Sequence, residues 1–235
     1  MTQKIIIFIL IVAFFLCLTI YSLLFPQRWL ITFLAPFICP NAVYFQATDK
    51  PIIALTIDDS PDTNTTSAIL NVLNQYQTIA TFFPLSEAAA QQPRLIQAMV
   101  DQGHEIGNHL TRDEPSIKLK EQFEPELKQA QQTLSQFTTV KWLRPGNGWC
   151  NQKMVTVAQK YGYQIALGSV WSYDTHIPST RFASWFILNN VQPGAIIVLH
   201  DGGQRGVRTA KILNQIIPQL QQKGYRFVTL SNLIQ

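Results

Sequence analysis

The chain has 235 residues, of which 47% are hydrophobic and 14% are charged, and its net charge is +4. This length suits one domain with a sizeable core and requires no second one. Lys4 and Arg28 are two of the 18 basic residues and the only charges before residue 40, which leaves 16 basic and 14 acidic residues in the body. This near balance, without a run of Lys or Arg, excludes a nucleic-acid footprint.

The first predicted element is a transmembrane helix from Ile5 to Phe25, which contains no charge and no proline. A helix of about 20 residues crosses the hydrocarbon core of a bilayer. The bulky residues after Phe25 offer no small-residue cleavage site, so we expect an uncleaved anchor within residues 1–40; a cleaved signal peptide is the alternative. Lys4 and the N-terminal amine on one side, against Arg28 on the other, favour a cytoplasmic N-terminus and an extracytoplasmic body.

Two features near the anchor bear on the body. A second apolar run, Trp29 to Ile38, is too short to span a bilayer and is expected at its interface. The three cysteines are Cys17, Cys39 and Cys150. Cys17 lies in the anchor, and the other two could pair if the body is extracytoplasmic, but spacing alone does not distinguish a disulfide from free thiols.

Strand-like and helix-like segments alternate from residue 51 onward. The predicted strands are Ile52–Asp58, Ala80–Phe83, His104–Asn108, Lys141–Leu143, Tyr163–Val170, Ala195–Leu199 and Tyr225–Leu230, and the predicted helices are Thr65–Tyr76, Pro93–Gln102, Phe123–Phe137, Gln152–Tyr161, Arg181–Val191 and Thr209–Gln222. Repeated β-then-α units predict a parallel sheet covered by helices. Short connections favour a barrel, and the lack of a glycine-rich phosphate loop argues against a nucleotide-binding doubly wound fold. The fold class is therefore α/β, a barrel over residues 41–235.

Polar residues follow most of these strands. They are Asp58 and Asp59 after the first, His109 and Asp113 after the third, Arg144 after the fourth, Asp174 after the fifth, and His200 and Asp201 after the sixth. Since chemistry in such barrels sits at the carboxyl ends of the strands, we expect these side chains around one mouth. Each has a structural alternative when taken alone: paired aspartates are commonly a solvated turn, and a lone histidine is commonly a hydrogen-bonded core residue. His104, at the start of its strand, is expected to be structural.

The set of residues predicts metal-assisted hydrolysis. An Asp, a His and an Asp on two loops provide three donors and leave positions for water and substrate, as a catalytic zinc site requires. A metal ion would also explain the adjacent acids Asp58 and Asp59, because its charge offsets their repulsion. One acid could then bind the ion while its neighbour takes a proton from water.

These motifs resemble those of the NodB-type polysaccharide deacetylases, carbohydrate esterase family four, which carry five ordered motifs on a distorted (β/α) barrel. The family's T-F-D-D-G-P, H-[ST]-x-x-H, R-P-P-Y-G, D-W and L-H-D motifs are matched by Thr56–Pro61, His109–Asp113, Arg144–Gly148, Asp174 and Leu199–Asp201. The matches occur in order and cover nearly the whole body. The resemblance implies a NodB-homology catalytic domain over residues 41–235.

The resemblance also implies a role for each matching residue. Asp58 would be the general base, oriented by Arg144, and His200 the general acid, with Asp174 holding its imidazolium. The implied metal ligands are Asp59, His109 and Asp113, the oxyanion donor is the N–H of Asn147, and Leu199 would line the acetyl pocket. Trp149 or Trp171 could stack on a sugar. The implied cofactor is a divalent metal, zinc first, with manganese or cobalt as alternatives.

Three departures from the family pattern bear on the expected activity. Asp113 stands where the family usually has a second histidine, so two ligand carboxylates would cancel the charge of Zn²⁺ and weaken it as a Lewis acid. Ser60 replaces a glycine, which costs energy if that position needs a positive φ. The fourth motif lacks its tryptophan after Asp174.

The implied activity is metal-dependent removal of N-acetyl groups from amino sugars of a polysaccharide such as peptidoglycan or chitin. One rival is an O-acetyl esterase or other amidase that uses the same residues. The other is a membrane-tethered glycan-binding relative with weak catalysis, suggested by Asp113 and the incomplete fourth motif. The sequence identifies neither the glycan nor the oligomeric state.

Overall fold

The computed structural model describes residues 2–235, without the side chains of Thr2 and Lys4. The orientation argument from Lys4 and the N-terminal amine therefore lies outside the described part. Two apolar helices come first, α1 at Thr2–Leu24 and α2 at Arg28–Ile38. The segment Ile5–Leu24 has a mean hydropathy of 2.9, with none of it buried, and is long and apolar enough to cross a membrane.

In the body that follows, the predicted strands and helices occur in the predicted order, together with two short helices that were not predicted, Ser86–Gln91 and Leu230–Leu233. Its strands are β1 Ile52–Asp58, β2 Thr81–Phe83, β3 Glu105–Ile106, β4 Trp142–Leu143, β5 Gln164–Ile165, β6 Val170–Trp171, β7 Ile196–His200 and β8 Arg226–Val228. Its helices are α3 Thr66–Gln75, α4 Ser86–Gln91, α5 Pro93–Asp101, α6 Phe123–Leu134, α7 Gln152–Lys160, α8 Thr180–Asn190, α9 Gly203–Gln222 and α10 Leu230–Leu233.

The strands form a parallel, incompletely closed barrel. The main sheet has the order β3-β2-β1-β7-β6, with β8 also paired to β1, and β4 pairs with β5 separately. A parallel bridge between Asn108 and Leu143 connects the end of β3 to β4. Across the gap between β5 and β6, the Arg144 side chain donates hydrogen bonds to the carbonyls of Ala166 (3.0 Å) and Leu167 (2.8 Å). This side chain thus helps to close the wall that the backbone leaves open.

The largest core cluster packs the central strands against the surrounding helices, with Ile57 of β1, Leu199 of β7, Phe186 of α8 and Ile216 of α9 all fully buried. From Ile53 to Asp58 every residue of β1 is buried. A central parallel strand is covered on both faces, which explains the continuous apolar run. The carboxylate of Asp58 at the end of β1 is a buried acidic group within this mostly apolar strand, and it lies at the candidate active site.

The structure corrects two predicted elements. The single strand predicted at Tyr163–Val170 is two strands, of which β5 pairs with β4 and β6 with β7. Between them the chain passes close to β7 at Gly168, where a Cβ atom would lie 2.4 Å from Val198. Helix α9 begins at Gly203, six residues before the predicted start at Thr209. The second change places Arg205 in the first turn of a helix instead of in a loop.

Cys39 and Cys150 form a disulfide, a question that their spacing left open. Cys39 directly follows α2, and Cys150 lies in the loop after β4. The bond therefore ties α2 to a loop at the carboxyl end of the barrel.

Candidate active site

A cavity of about 580 Å³ opens at the carboxyl ends of the strands. Nine of the ten residues predicted for the site line it: Asp58, Asp59, His109, Asp113, Arg144, Asn147, Trp149, Asp174 and His200. Their convergence follows from the parallel topology, since the carboxyl ends of parallel strands meet at one edge of the barrel.

Arg144 holds Asp58 in place. Its Nη1 lies 2.7 Å from Asp58 Oδ1 and donates a second hydrogen bond, also 2.7 Å, to Thr56 Oγ1. Both members of the ion pair are buried, and the guanidinium lies 4.2 Å from the centre of the Phe83 ring. Bonds at three of its nitrogens restrict this side chain to one orientation. Asp58 Oδ1 is thereby engaged, and its Oδ2 faces His200 Nε2 at 4.0 Å.

Asp59 and His109 face each other across the floor of the cavity. His109 Nε2 lies 3.5 Å from Asp59 Oδ1, while His109 Nδ1 bonds the carbonyl of Arg144 at 2.7 Å. That bond assigns the proton to Nδ1 and leaves the Nε2 lone pair directed into the cavity, the usual arrangement of a metal-binding histidine. Both carboxylate oxygens of Asp59 are buried without a hydrogen-bond partner among the described residues. Burial raises the pKa of Asp59.

Arg205 is a site residue that the sequence analysis missed. Its Nη1 lies 3.1 Å from Asp59 Oδ2, and its Nη2 lies 3.3 Å from Asp113 Oδ2. One guanidinium thus bridges two of the three predicted metal ligands. The available signal is an arginine four residues after Asp201. A helix predicted to begin at Thr209 places this arginine in a loop, whereas α9 begins at Gly203 and includes it.

The donor set fits a divalent cation. Asp59, His109 and Asp113 provide carboxylate oxygen and imidazole nitrogen, the donors that Zn²⁺ and Mn²⁺ accept. Neither oxygen of Asp59 receives a hydrogen bond from the described residues, and Arg205 Nη1 lies 3.1 Å from one of them. A buried carboxylate is costly unless a cation lies nearby. Within residues 2–235, no three His, Cys, Asp or Glu side chains already stand at metal-binding spacing. The guanidinium of Arg205 lies between Asp59 and Asp113.

His200 forms a second fixed pair with Asp174. His200 Nδ1 lies 2.9 Å from Asp174 Oδ1, and the His200 backbone N–H donates to Asp174 Oδ2 at 3.1 Å. Burial lowers the pKa of His200, but the hydrogen bond and the charge of Asp174 outweigh it and raise the pKa to about 9. The imidazole is therefore protonated at neutral pH, and its Nε2–H points into the cavity toward Asp58.

The loop after β4 provides another side of the cavity. Asn147 adopts a left-handed conformation with φ of 61°, and Gly146 and Gly148 beside it are held by hydrogen bonds from their N–H groups to Ser116 Oγ and the Pro145 carbonyl. Trp149, which is 51% exposed, also lines the cavity, as does Trp171. Both aromatic side chains considered for sugar stacking are thus present at the cavity.

The prediction for Leu199 is wrong. Successive residues of a strand face opposite sides, and Leu199 lies in the core with Ile57, whereas Val198 lines the cavity. Asp201 is also outside the cavity, because it is fully buried and accepts hydrogen bonds from the hydroxyls of Thr65 and Thr66.

The structural interpretation of His104 is supported by its surroundings. Its Nδ1 accepts the Ala80 N–H at 3.2 Å, and burial lowers its pKa to about 4. It is thus a neutral core residue at neutral pH.

Comparisons with known proteins bear on the family of this chain. The polysaccharide deacetylase family profile matches residues 45–166. A peptidoglycan-N-acetylglucosamine deacetylase of Bacillus cereus is 34% identical over 191 residues, which cover 79% of this chain and 89% of the relative. The chain belongs to the polysaccharide deacetylase family. The family and the enzyme class predicted from the motifs are thereby confirmed.

Two further proteins that are similar to this chain bear on its fold and on its substrate class. A chitooligosaccharide deacetylase of Azorhizobium caulinodans is 31% identical and covers 74% of this chain and 90% of its own length. A crystal structure of a peptidoglycan N-acetylglucosamine deacetylase in complex with an N-oxidanyl-benzamide aligns with a TM-score of 0.78 and 29% identity, over 86% of this chain and 95% of that one. The NodB-type α/β fold is therefore confirmed, while the relatives differ in the glycan that they are named for.

Proposed function

We propose that this protein removes N-acetyl groups from the amino sugars of a polysaccharide by metal-assisted hydrolysis. The observation that carries the proposal is the pair Asp58 and His200, each fixed by its own partner and facing the other across a cavity that also holds three potential metal ligands. One group is positioned to accept a proton and the other to donate one. Amide hydrolysis requires both functions.

A divalent cation held by Asp59, His109 and Asp113 would polarise the acetamide carbonyl and lower the pKa of water. Asp58, oriented by Arg144, accepts a proton from the attacking water. The N–H of Asn147 donates to the oxygen that becomes negative as the carbonyl is attacked. His200 Nε2 donates a proton to the leaving amine, and Asp174 stabilises the imidazolium before that transfer. The products are acetate and the free amino sugar.

The positive charge of Arg205 offsets the negative charge that Asp113 adds to the site. With both ligand aspartates ionised, their charges equal those of a divalent cation, and Asp58 adds a third negative charge nearby. The guanidinium of Arg205 balances one carboxylate when the cation is absent. A divalent cation held there would compete with Arg205 for Asp59 and Asp113. We assign zinc as the physiological ion, with manganese and cobalt as alternatives because of the two oxygen donors.

We infer that the body is tethered outside the cytoplasm by α1. The support is the apolar length of Ile5–Leu24 and the disulfide between Cys39 and Cys150, since disulfides persist in oxidising compartments. A cell-wall or surface glycan is the corresponding substrate class.

The direct test is acetate release from N-acetylglucosamine oligomers by the purified full chain and by Asp58→Asn. The variant is expected to bind metal as the original protein does and to lose at least about a hundredfold in kcat, the range in which general base catalysis contributes. Asp49→Asn, at an exposed position, is the matched control. Full activity of Asp58→Asn would contradict the assignment of the base.

A substrate panel separates the rivals. Faster release from O-acetylated sugars than from N-acetylated ones would favour the esterase. Binding of oligomers without acetate release under any divalent ion would favour the glycan-binding relative.

A further inference from the structure

We propose that α2 lies in the bilayer interface and fixes the cavity at the membrane surface, where it acts on acetylated amino-sugar chains carried on a membrane lipid. The inference rests on the proposed function for its substrate chemistry. The placement of α2 does not depend on that function and rests on the contacts that α2 and the end of α1 make with the body.

Helix α2 has an inner and an outer apolar face. The inner face packs Ile31, Ala35 and Ile38 against the second core cluster. The outer face carries Trp29, Phe33 and Phe37, four residues apart and therefore aligned, with exposures of 69%, 65% and 74%. Three bare aromatic side chains in a row are unusual on a water-facing helix and usual on one that lies in a lipid interface.

The position of α2 in the chain identifies the bilayer as the partner of that face. The unburied apolar helix α1 ends at Leu24, and only Phe25, Pro26 and Gln27 separate it from Arg28 at the start of α2. Three extended residues span at most about 11 Å. If α1 spans the bilayer, α2 begins at its surface and cannot lie far from it.

The wall of the cavity is attached directly to the end of α1. Tyr173, which lines the cavity, donates its hydroxyl to the carbonyl of Leu23 at 3.1 Å. Asn190 of α8 donates to the carbonyl of Leu24 at 2.9 Å, and Phe25 packs on Trp185 with 6.1 Å between ring centres. The last turn of the membrane helix thus rests on the same side of the body as the cavity wall.

A second attachment reaches the cavity through the loop after β4. Cys39 at the end of α2 is bonded to Cys150, whose neighbour Trp149 lines the cavity. At the start of α2, Arg28 donates to the carbonyl of Pro193 and stacks over Phe45 at 4.7 Å. Both ends of α2 are therefore fixed to the body, so insertion of its outer face holds the cavity at a constant short distance from the bilayer.

The consequence concerns the substrate. A catalytic domain on a long flexible linker could reach glycan at many heights above the membrane, but this one has no such linker. The cavity meets sugars that are attached to, or newly extended from, a lipid in the same membrane. The exposed Trp149 at its mouth offers a stacking surface to such a chain.

The location of α2 is tested with an environment-sensitive fluorophore on the full chain in nanodiscs of equal parts phosphatidylethanolamine and phosphatidylglycerol. In a Cys17→Ser background, the probe is placed at Phe33→Cys and, as a control on the exposed side of α6, at Gln129→Cys. The probe at position 33 should emit at shorter wavelength and be quenched by lipids labelled near the headgroup, while the probe at 129 should not. Equal emission and equal quenching at both positions would overturn the proposal.

The functional consequence is tested with one oligosaccharide in two forms, free in solution and coupled to a lipid in the nanodisc. Replacing Trp29, Phe33 and Phe37 together by Ser should lower acetate release from the lipid-coupled form by about tenfold, since small misplacement of a substrate is costly. Release from the free form should stay unchanged, which also shows that the variant is folded. Ile117→Ser removes an exposed apolar side chain elsewhere and should change neither rate.

Equal losses on both forms, or no loss on either, would contradict the proposal. If the original protein hydrolyses neither form, the proposed function fails, and the fluorophore result still decides whether α2 enters the membrane.

Discussion

At the scale of single residues, the His200–Asp174 pair should make the proposed proton donor, His200, pH-dependent. The pKa of His200 is raised to about 9, so the protonated form is populated below that pH and is lost as the pH rises through it. Turnover should therefore fall on the alkaline side. Asp174→Asn removes the negative charge that raises the pKa, keeps only an amide oxygen as hydrogen-bond acceptor, and leaves the burial that lowers the pKa, so the alkaline limb should move to lower pH. The kcat profiles of both proteins test this, and coincident alkaline limbs would contradict it.

Arg205 should lower the metal affinity of the proposed site, because its guanidinium would compete with the ion for Asp59 and Asp113. Arg205→Gln removes a cation within 3.3 Å of two ligand carboxylates. Zinc should bind the variant at least about tenfold more tightly, which corresponds to about 1.4 kcal/mol. Titration calorimetry on chelator-stripped protein measures this, with the exposed Arg181→Gln as control. Unchanged or weaker binding would show that Arg205 does not compete with the ion.

At the scale of elements, the bounds of a strand or helix are predicted accurately where burial determines its pattern of apolar residues. The bounds of β1 match the prediction because a central strand is buried on both faces and proline stands on either side of it. Leu199 was wrong for the converse reason, since an apolar run such as β7 does not show which side chains face the cavity. The start of α9 was missed because Gly202 and Gly203, both with positive φ, have the pattern of a loop. That error concealed Arg205.

The disulfide is an element-scale connection with a stability consequence. It joins residues 111 positions apart, and closing a long loop destabilises the unfolded chain. Replacing Cys39 and Cys150 together by Ser should lower the free energy of unfolding of the body by about 2–4 kcal/mol. Guanidinium unfolding of the full chain in detergent, followed by tryptophan fluorescence, measures the change. Cys17→Ser is the control, and a double variant as stable as this control would contradict the expectation.

At the scale of the whole molecule, the alternation of strands and helices predicted the parallel fold, and the parallel fold brought the strand-end residues to one cavity. The local sequence patterns do not predict contacts between segments that are distant in the chain. The hydroxyl of Tyr173 and the carbonyl of Leu23, for example, are 150 positions apart and carry no mark in either local pattern. The attachment of the cavity wall to α1 is therefore visible only in three dimensions.

The central claim is that this cavity hydrolyses N-acetyl groups with the help of a divalent ion. Its most direct test measures acetate released from N-acetylglucosamine oligomers by the chelator-stripped full chain, before and after one equivalent of zinc, manganese or cobalt is added. We predict little release before the addition and turnover after it, lost again in Asp58→Asn. Release that is independent of added metal, or no release with any of the three ions, would contradict the claim.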